Sequence, residues 1–410
     1  MQTNLAPEFQ GTREGKEAED ILRRCVHCGF CTATCPTYQL LGDELDGPRG
    51  RIYLMKQVLE GETPTRATQE HLDRCLTCRN CETTCPSGVQ YGALLEIGRG
   101  IVDAKVERPK AERLQRWLLK EGLPSPLFKP AIKLGQLVRP LLPALLKDKV
   151  PAPAPKRAHD WPQREHKRKV GLLLGCVQPT LAPNINSATA RLLDACGIQT
   201  LVADEAGCCG AIRTHLSDHE GGLNDMRRNV DAWWPLIQSG RIEALVMNAS
   251  GCGVTVREYG RMLAHDPAYA QRAAKVSELT RDLSELLPEL VPALKTRLGK
   301  NKKRPKLAYH PPCTLQHGQQ LRGQVESAFR ELGFELNLPA QDSHLCCGSA
   351  GTYSVLQPEL SKQLRDQKIA VLTPLHSDAI VSGNIGCIQQ LQSGTATPVR
   401  HWVEVLDELI

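Results

Sequence analysis

The sequence predicts an α+β chain of several domains, with an α-helical N-terminal domain ahead of two repeated α/β modules built on parallel sheets. Three observations carry this. The run C-x2-C-x2-C-x3-C-P occurs twice, as CVHCGFCTATCP over 25–36 and CLTCRNCETTCP over 75–86. A pair of adjacent cysteines followed by glycine also occurs twice, ending at Gly210 and Gly348. Each pair lies within the same order of segments: strand, helix, strand, CCG, helix, strand, cysteine.

The N-terminal domain, expected over 1–122, reads as helical. PRGRIYLMKQVLEG has Pro near its start and Gly at its end, and VQYGALLEIGRGIVDAK sets Leu94, Leu95, Ile97 and Ile101 roughly on one face. Residues 123–168 are rich in Pro and basic residues with apolar residues between them. They read as a linker, or as an amphipathic segment lying on a membrane surface or a partner.

The first CCG module is expected over 169–294, with strands at KVGLLLGC, IQTLVAD and EALVMNASGC. The second is expected over 307–410, with strands at KLAYHPPC, FELNLPA and SDAIVSGNIGC. Alternating β and α segments favour a parallel sheet with ligand loops at the carboxyl ends of the strands. Between the modules, KTRLGKNKKRPK (295–306) reads as a solvated basic linker.

Composition narrows the function. The 410 residues are 41% hydrophobic, enough for real cores, but only 4% aromatic, which argues against stacking platforms for bases or sugars. A net charge of +6 is too small to argue for a nucleic-acid partner. The first twenty residues are polar, so no signal peptide is expected. The chain has no uninterrupted apolar run of about eighteen residues, so no spanning helix is expected. A soluble or peripheral protein in a reducing compartment uses its 17 cysteines as metal ligands rather than as disulfides.

In the ferredoxin-type run, three cysteines at steps of three wrap one corner of a cubane cluster, and the fourth, before Pro, ligates the other cluster. This assigns Cys25, Cys28, Cys31 and Cys85 to one [4Fe–4S] cluster and Cys75, Cys78, Cys81 and Cys35 to a second. Zinc would need only four ligands, usually as two CxxC pairs, and has no use for this run twice.

The paired cysteines need another argument. Adjacent Cα atoms lie about 3.8 Å apart, whereas a relaxed disulfide wants about 4.4–6.8 Å. Two thiolates facing one polynuclear centre carry no such strain. Cys176, Cys208, Cys209 and Cys252 form one set of four, and Cys313, Cys346, Cys347 and Cys387 form the other. Each set is a further redox or metal site, a cluster of buried structural thiols, or a metal-free redox dithiol. Cys196, matched by Leu332 in the second copy, reads as a small core residue. His215, His310 and His317 lie near cysteines; a ligand or proton carrier is one reading of them, and polar surface or loop residues the simpler one. With no Walker loop, no dinucleotide fingerprint and no nucleophile elbow, no catalytic residue is assigned and the chain reads as built to move electrons.

Two such runs joined by a helical stretch carrying 48-PRGR-51, then two CCG modules, resemble the iron–sulfur subunits of glycolate oxidases over nearly the whole chain. The resemblance implies an electron-transfer subunit in a flavin-linked complex that oxidises glycolate to glyoxylate. It implies FAD on partner subunits only, a respiratory acceptor such as a quinone, and peripheral attachment at the cytoplasmic side of the inner membrane. Iron–sulfur subunits of lactate or glycerol-3-phosphate dehydrogenases share the architecture, as do heterodisulfide reductases, which would make the chain a thiol redox enzyme. In the latter the module ends in CxxC and carries a cluster on five cysteines; here Thr255 and Gln390 stand at the fifth place. An additional cluster in the CCG modules therefore stays open.

Overall fold

A computed structural model describes residues 1–141, 160–298 and 303–410. Four helices build the N-terminal core: Arg13–Arg24, Pro48–Leu59, Arg66–Asp73 and Tyr91–Lys105. Their starts follow from local chemistry. The Thr12 hydroxyl accepts from Gly15 N at 3.0 Å, Pro48 occupies the first turn of its helix, and Thr65 forms a capping box with Thr68. The apolar faces of three of these helices meet through Leu22, Ile52, Met55, Leu59, Leu94 and Val102, all buried. Each contributes about 1.5–3 kcal/mol of burial. Gly98 permits that approach: a Cβ there would stand 2.4 Å from Met55 Sδ.

Each module is a four-stranded parallel sheet. β1 (Arg168–Leu172), β2 (Ile198–Leu201), β3 (Ala244–Met247) and β4 (Thr280–Asp282) lie in the order β2-β1-β3-β4. β5 (Leu307–Tyr309), β6 (Leu336–Asn337), β7 (Ala379–Ser382) and β8 (Val399–His401) repeat it as β6-β5-β7-β8. Register repeats too, with Val170 opposite Ala244 and Leu307 opposite Ala379. The sequence reading supplied three strands per module, and the structure adds β4 and β8. Both are three-residue edge strands, TRD and VRH, with no apolar run to announce them. Each ends on a helix N-cap, Asp282 with Glu285 and His401 with Glu404, in a capping box. The third strands are also shorter than expected: Cys252 and Cys387 lie in the first turns of helices Ser250–Arg257 and Ile385–Gln392.

The two modules share one apolar core, in which Leu192, Leu287, Phe329 and Trp402 are fully buried. Their sheets meet at carboxyl ends, where His401 Nε2 lies 2.9 Å from Asn248 O and Ser250 N donates to Gly383 O at 3.2 Å. The N-terminal domain packs on both modules. Arg79 pairs with Glu258, Arg261 pairs with Glu17 at 2.9 Å, and the Thr83 hydroxyl lies 2.7 Å from His317 Nδ1.

Part of the proline-rich stretch is helical, over Phe128–Val138; its residues 142–159 lie outside the described residues. Of the basic stretch, 295–297 form the last turn of helix Leu283–Arg297, and 299–302 lie outside the described residues. Among the described residues no helix is long and apolar enough to cross a membrane.

Candidate metal centres

The two ferredoxin-type loops share one backbone device. His27 and Gly29 in the first, and Thr77 and Arg79 in the second, take positive φ of 55°, 83°, 53° and 59°. Left-handed residues in a tight loop turn N–H groups inward, a concavity that favours anionic sulfur. Thr77 N donates to Cys75 Sγ at 3.4 Å in this way. Cys35 and Cys85 close the two runs just before their prolines, Cys35 as the N-cap of helix Pro36–Leu41.

The thiols converge across the two motifs. Cys25 stands within electrostatic reach of Cys28 and Cys85, and Cys31 within reach of Cys25 and Cys28, as well as Cys35. Cys81 is in reach of Cys78, Cys75 and Cys35. Burial pushes the Cys31 thiol up to about 11 and those of Cys78 and Cys81 well above their ordinary range. All 17 cysteines are free of disulfides. Dense, buried, unpaired thiols fit a cationic metal centre, which displaces their protons on binding.

Sequence reasoning passed over the residues around the second group. Arg51, the last residue of PRGR, is fully buried. Its Nε donates to His71 O at 2.6 Å, its Nη1 to Thr37 Oγ1 at 3.1 Å and its Nη2 to Asp46 Oδ1 at 3.3 Å. Thr37 Oγ1 lies 3.3 Å from Cys35 Sγ, and Tyr91 donates its hydroxyl to Cys75 Sγ at 3.6 Å. Gly50 lets this helix start sit close, since a Cβ there would be 2.1 Å from Glu44 O. The PRGR motif thus places a permanent cation beside Cys35 and Cys75. Arg99 adds a second, donating to Leu72 O and Cys75 O at 2.7 Å each.

The surroundings of the two loops differ. Val26 and Phe30 are 68% and 61% exposed, beside the exposed Cys28. Their counterparts Leu76 and Asn80 are buried, Leu76 against Cys346, Tyr353 and Leu364 of the second module.

In each module the strand ends gather four thiols. In the second, Cys313 Sγ lies 4.0 Å from Cys346 Sγ, Gly348 N donates to Cys346 Sγ at 3.4 Å, and Asn384 Nδ2 donates to Cys387 Sγ at 3.6 Å. Glycine after the pair is required: Gly348 has φ 80°, and a Cβ on it would stand 2.4 Å from Ser361 O. One charge pattern repeats. A bond from Cys313 holds Cys346 well below the ordinary thiol range and a bond from Cys176 does the same for Cys208. The same bonds push Cys313 and Cys176 up. The bonds between neighbours likewise raise Cys347 and Cys209. Cys196 caps its helix, half-buried against the shared core.

The histidines differ from the surface or loop role expected of them. His310 and His317 are buried, and His215 is half-buried with a buried Nδ1. His317 and His215 are covered by the N-terminal domain, through Thr83 and through Arg79 and Arg99, and His310 faces Cys347 and Cys387 of its own module, none of which local polarity foretells. Buried Lys368 donates to Ser343 O at 2.8 Å and stands beside Cys347, Cys346 and Cys387. Nothing in the sequence around it announces that place.

Comparison with known proteins agrees with this layout. Residues 21–89 match a 4Fe-4S dicluster domain, and residues 170–257 and 307–392 each match a cysteine-rich domain. The chain is 55% identical to the glycolate oxidase iron-sulfur subunit of Escherichia coli K12, over 100% of this chain and 99% of that one. It is 30% identical to a probable glycolate oxidase iron-sulfur subunit of Bacillus subtilis 168, over 94% and 92%. Lactate utilization protein A of Halalkalibacterium halodurans is 26% identical, over 58% of this chain and 96% of that protein.

Proposed function

The chain belongs to the family of glycolate oxidase iron–sulfur subunits, and from that premise we propose that it is the electron-transfer subunit of a flavin-linked glycolate dehydrogenase. Glycolate would be oxidised on an FAD-bearing partner chain, because no flavin or substrate motif is present in this sequence. The single observation that supports the reading most is that thiols of the two ferredoxin-type runs approach each other, Cys25 beside Cys85 and Cys81 beside Cys35.

We assign Cys25, Cys28, Cys31 and Cys85 to one [4Fe–4S] cluster and Cys75, Cys78, Cys81 and Cys35 to a second. Bound there, the clusters supply one-electron transfer, which splits the two-electron chemistry of a flavin. The protein's part is to hold and tune them. Arg51 and Arg99 offset negative charge at the second site, and the inward N–H groups of both loops do the same locally. The units 1–122, 169–294 and 307–410 follow as a helical cluster domain and two modules.

The exposed loop with Val26, Cys28 and Phe30 is the face for the flavin-bearing partner, because it brings the first site nearest to solvent. A cavity of about 380 Å³ lies beside the second group, lined by Cys75, Arg99, Arg116, His215 and Tyr353. The Tyr353 hydroxyl and His215 Nδ1 are buried there with no protein partner. Two hydrogen-bonding groups beside Cys75 suit the carbonyls of a quinone acceptor. Helix Lys110–Gly122 lines the cavity through Arg116 and exposes Leu114, Trp117 and Leu118, and helix Phe128–Val138 exposes Leu134 and Leu137. This apolar surface supports peripheral attachment to a membrane.

Anaerobic purification of the complex from its host tests the reading. Iron for at least two clusters, about eight per chain, and a flavoprotein that co-purifies are expected. An iron-free chain that folds normally, or one that never brings a flavoprotein with it, overturns it.

A further inference from the structure

We propose that His310 is a ligand to an iron centre in the second module, making with Cys347 and Cys387 a mixed imidazole–thiolate site beside Cys313 and Cys346. The inference rests on the reading that the second CCG module holds metal, and adds a donor that no cysteine pattern contains.

The geometry carries it. One ligand atom from each of His310, Cys347 and Cys387 lies within 4.8 Å of the others, and all three residues are buried. His310 is 1% exposed, and neither ring nitrogen has a hydrogen-bond partner. A buried imidazole with both nitrogens unsatisfied is costly unless something binds it. Its main chain is fixed on both sides: His310 N donates to Val381 O at 2.9 Å, and Ser382 Oγ donates to His310 O at 2.9 Å. The ring is therefore aimed, not loose.

The repeat supplies an internal control. In the first module the matching residue is Leu173, 3% exposed, whose N donates to Val246 O in the same register. Lys368 stands 22 residues after Cys346; at that offset from Cys208 the first module has Val230. The second module alone has both a nitrogen donor and a buried cation against its thiols. Where a five-thiolate site would need a cysteine at position 390, the imidazole supplies the further donor. Iron fits better than zinc, since Cys313 and Cys346 lie within electrostatic reach of Cys78 of the second ferredoxin-type group. Zinc carries no redox chemistry, and imidazole in place of thiolate raises the potential of an iron centre.

The test is pulsed EPR on the anaerobically purified complex, with ¹⁴N- and ¹⁵N-histidine-labelled samples compared. A nitrogen strongly coupled to one iron signal, and shifted by the label, is expected. It should vanish in His310→Ala and in His310→Cys. The cysteine variant keeps the iron content and lowers the potential of that signal, while the two ferredoxin-type signals stay unchanged. If Cys346→Ser removes iron but no signal couples to histidine nitrogen, the His310 inference falls and metal occupancy stands. If Cys346→Ser leaves iron content unchanged, or the module holds zinc, the iron centre itself is overturned.

Discussion

Arg51 and Asp46 meet at 3.3 Å with both side chains only 1% exposed, and the same carboxylate takes Arg74 at 2.9 Å and His71 Nδ1 at 3.1 Å. Removing Arg51 leaves a buried carboxylate short of a partner and takes the cation from beside Cys35 and Cys75. Arg51→Met should destabilise the protein by about 3–5 kcal/mol, read as a fall in melting temperature under anaerobic conditions. Arg51→Lys keeps the charge but not the three-way fork and should fall between the two. A melting temperature unchanged in Arg51→Met would show that this pair does not hold the domain.

The crossed assignment of ligands makes a pairing prediction. Cys28→Ser and Cys85→Ser should weaken the same EPR signal, and Cys78→Ser and Cys35→Ser the other, each with the loss of about four irons. If Cys85→Ser changes the signal that Cys78→Ser changes, each run binds its own cluster instead.

His401 sets a pH limit on the module interface. Burial lowers its pKa from 6.5 to about 3, against the raising effect of Asn248 O. The neutral ring satisfies both sides, Nε2 toward Asn248 O at 2.9 Å and Nδ1 accepting from Val403 N at 3.1 Å. Its folded pKa lies below the unfolded one, so the unfolded chain binds the extra proton. Stability is complete above pH 6.5 and is lost as pH falls toward 3, at up to about 1.4 kcal/mol per unit. Denaturant unfolding from pH 7 downward should show this slope in the wild type and a shallower one in His401→Gln. Equal slopes would count against it.

At the exposed first loop, Phe30→Asp should weaken binding of the flavin-bearing partner by about 2 kcal/mol, roughly thirtyfold in Kd. Iron content should stay close to that of the wild type, because the side chain is 61% exposed. Titration of the variant against the isolated partner checks this; unchanged affinity places the interface elsewhere.

Much of this was legible in the sequence, for identifiable reasons. The helix Pro48–Leu59 is announced by its punctuation, Pro at the start and Gly beyond the end, and Tyr91–Lys105 by its apolar periodicity. The modules announce themselves because a repeated cysteine pattern is independent of propensity. β4 and β8 were missed because TRD and VRH are set by pairing with β3 and β7, a tertiary event with no local trace. His310 reads as a surface or loop residue because a lone histidine after a strand looks the same whether water or thiols face it. Arg51 stood in the quoted PRGR motif, yet its role depends on Asp46, Thr37 and His71 O, brought together only by folding.

The different cover over Cys28 and Cys78 has a consequence for how the protein is made. Iron can reach the first loop directly from solvent, whereas at the second loop Leu76 packs against Tyr353 and Leu364 and the way in is the cavity lined by Cys75 and Tyr353. If a cluster occupies each group, the second should fill more slowly than the first, because residues 346–364 partly cover it. Reconstitution of iron-stripped folded protein should refill the first site sooner, and the second faster once mild denaturant loosens that contact. Equal refilling rates would refute the order.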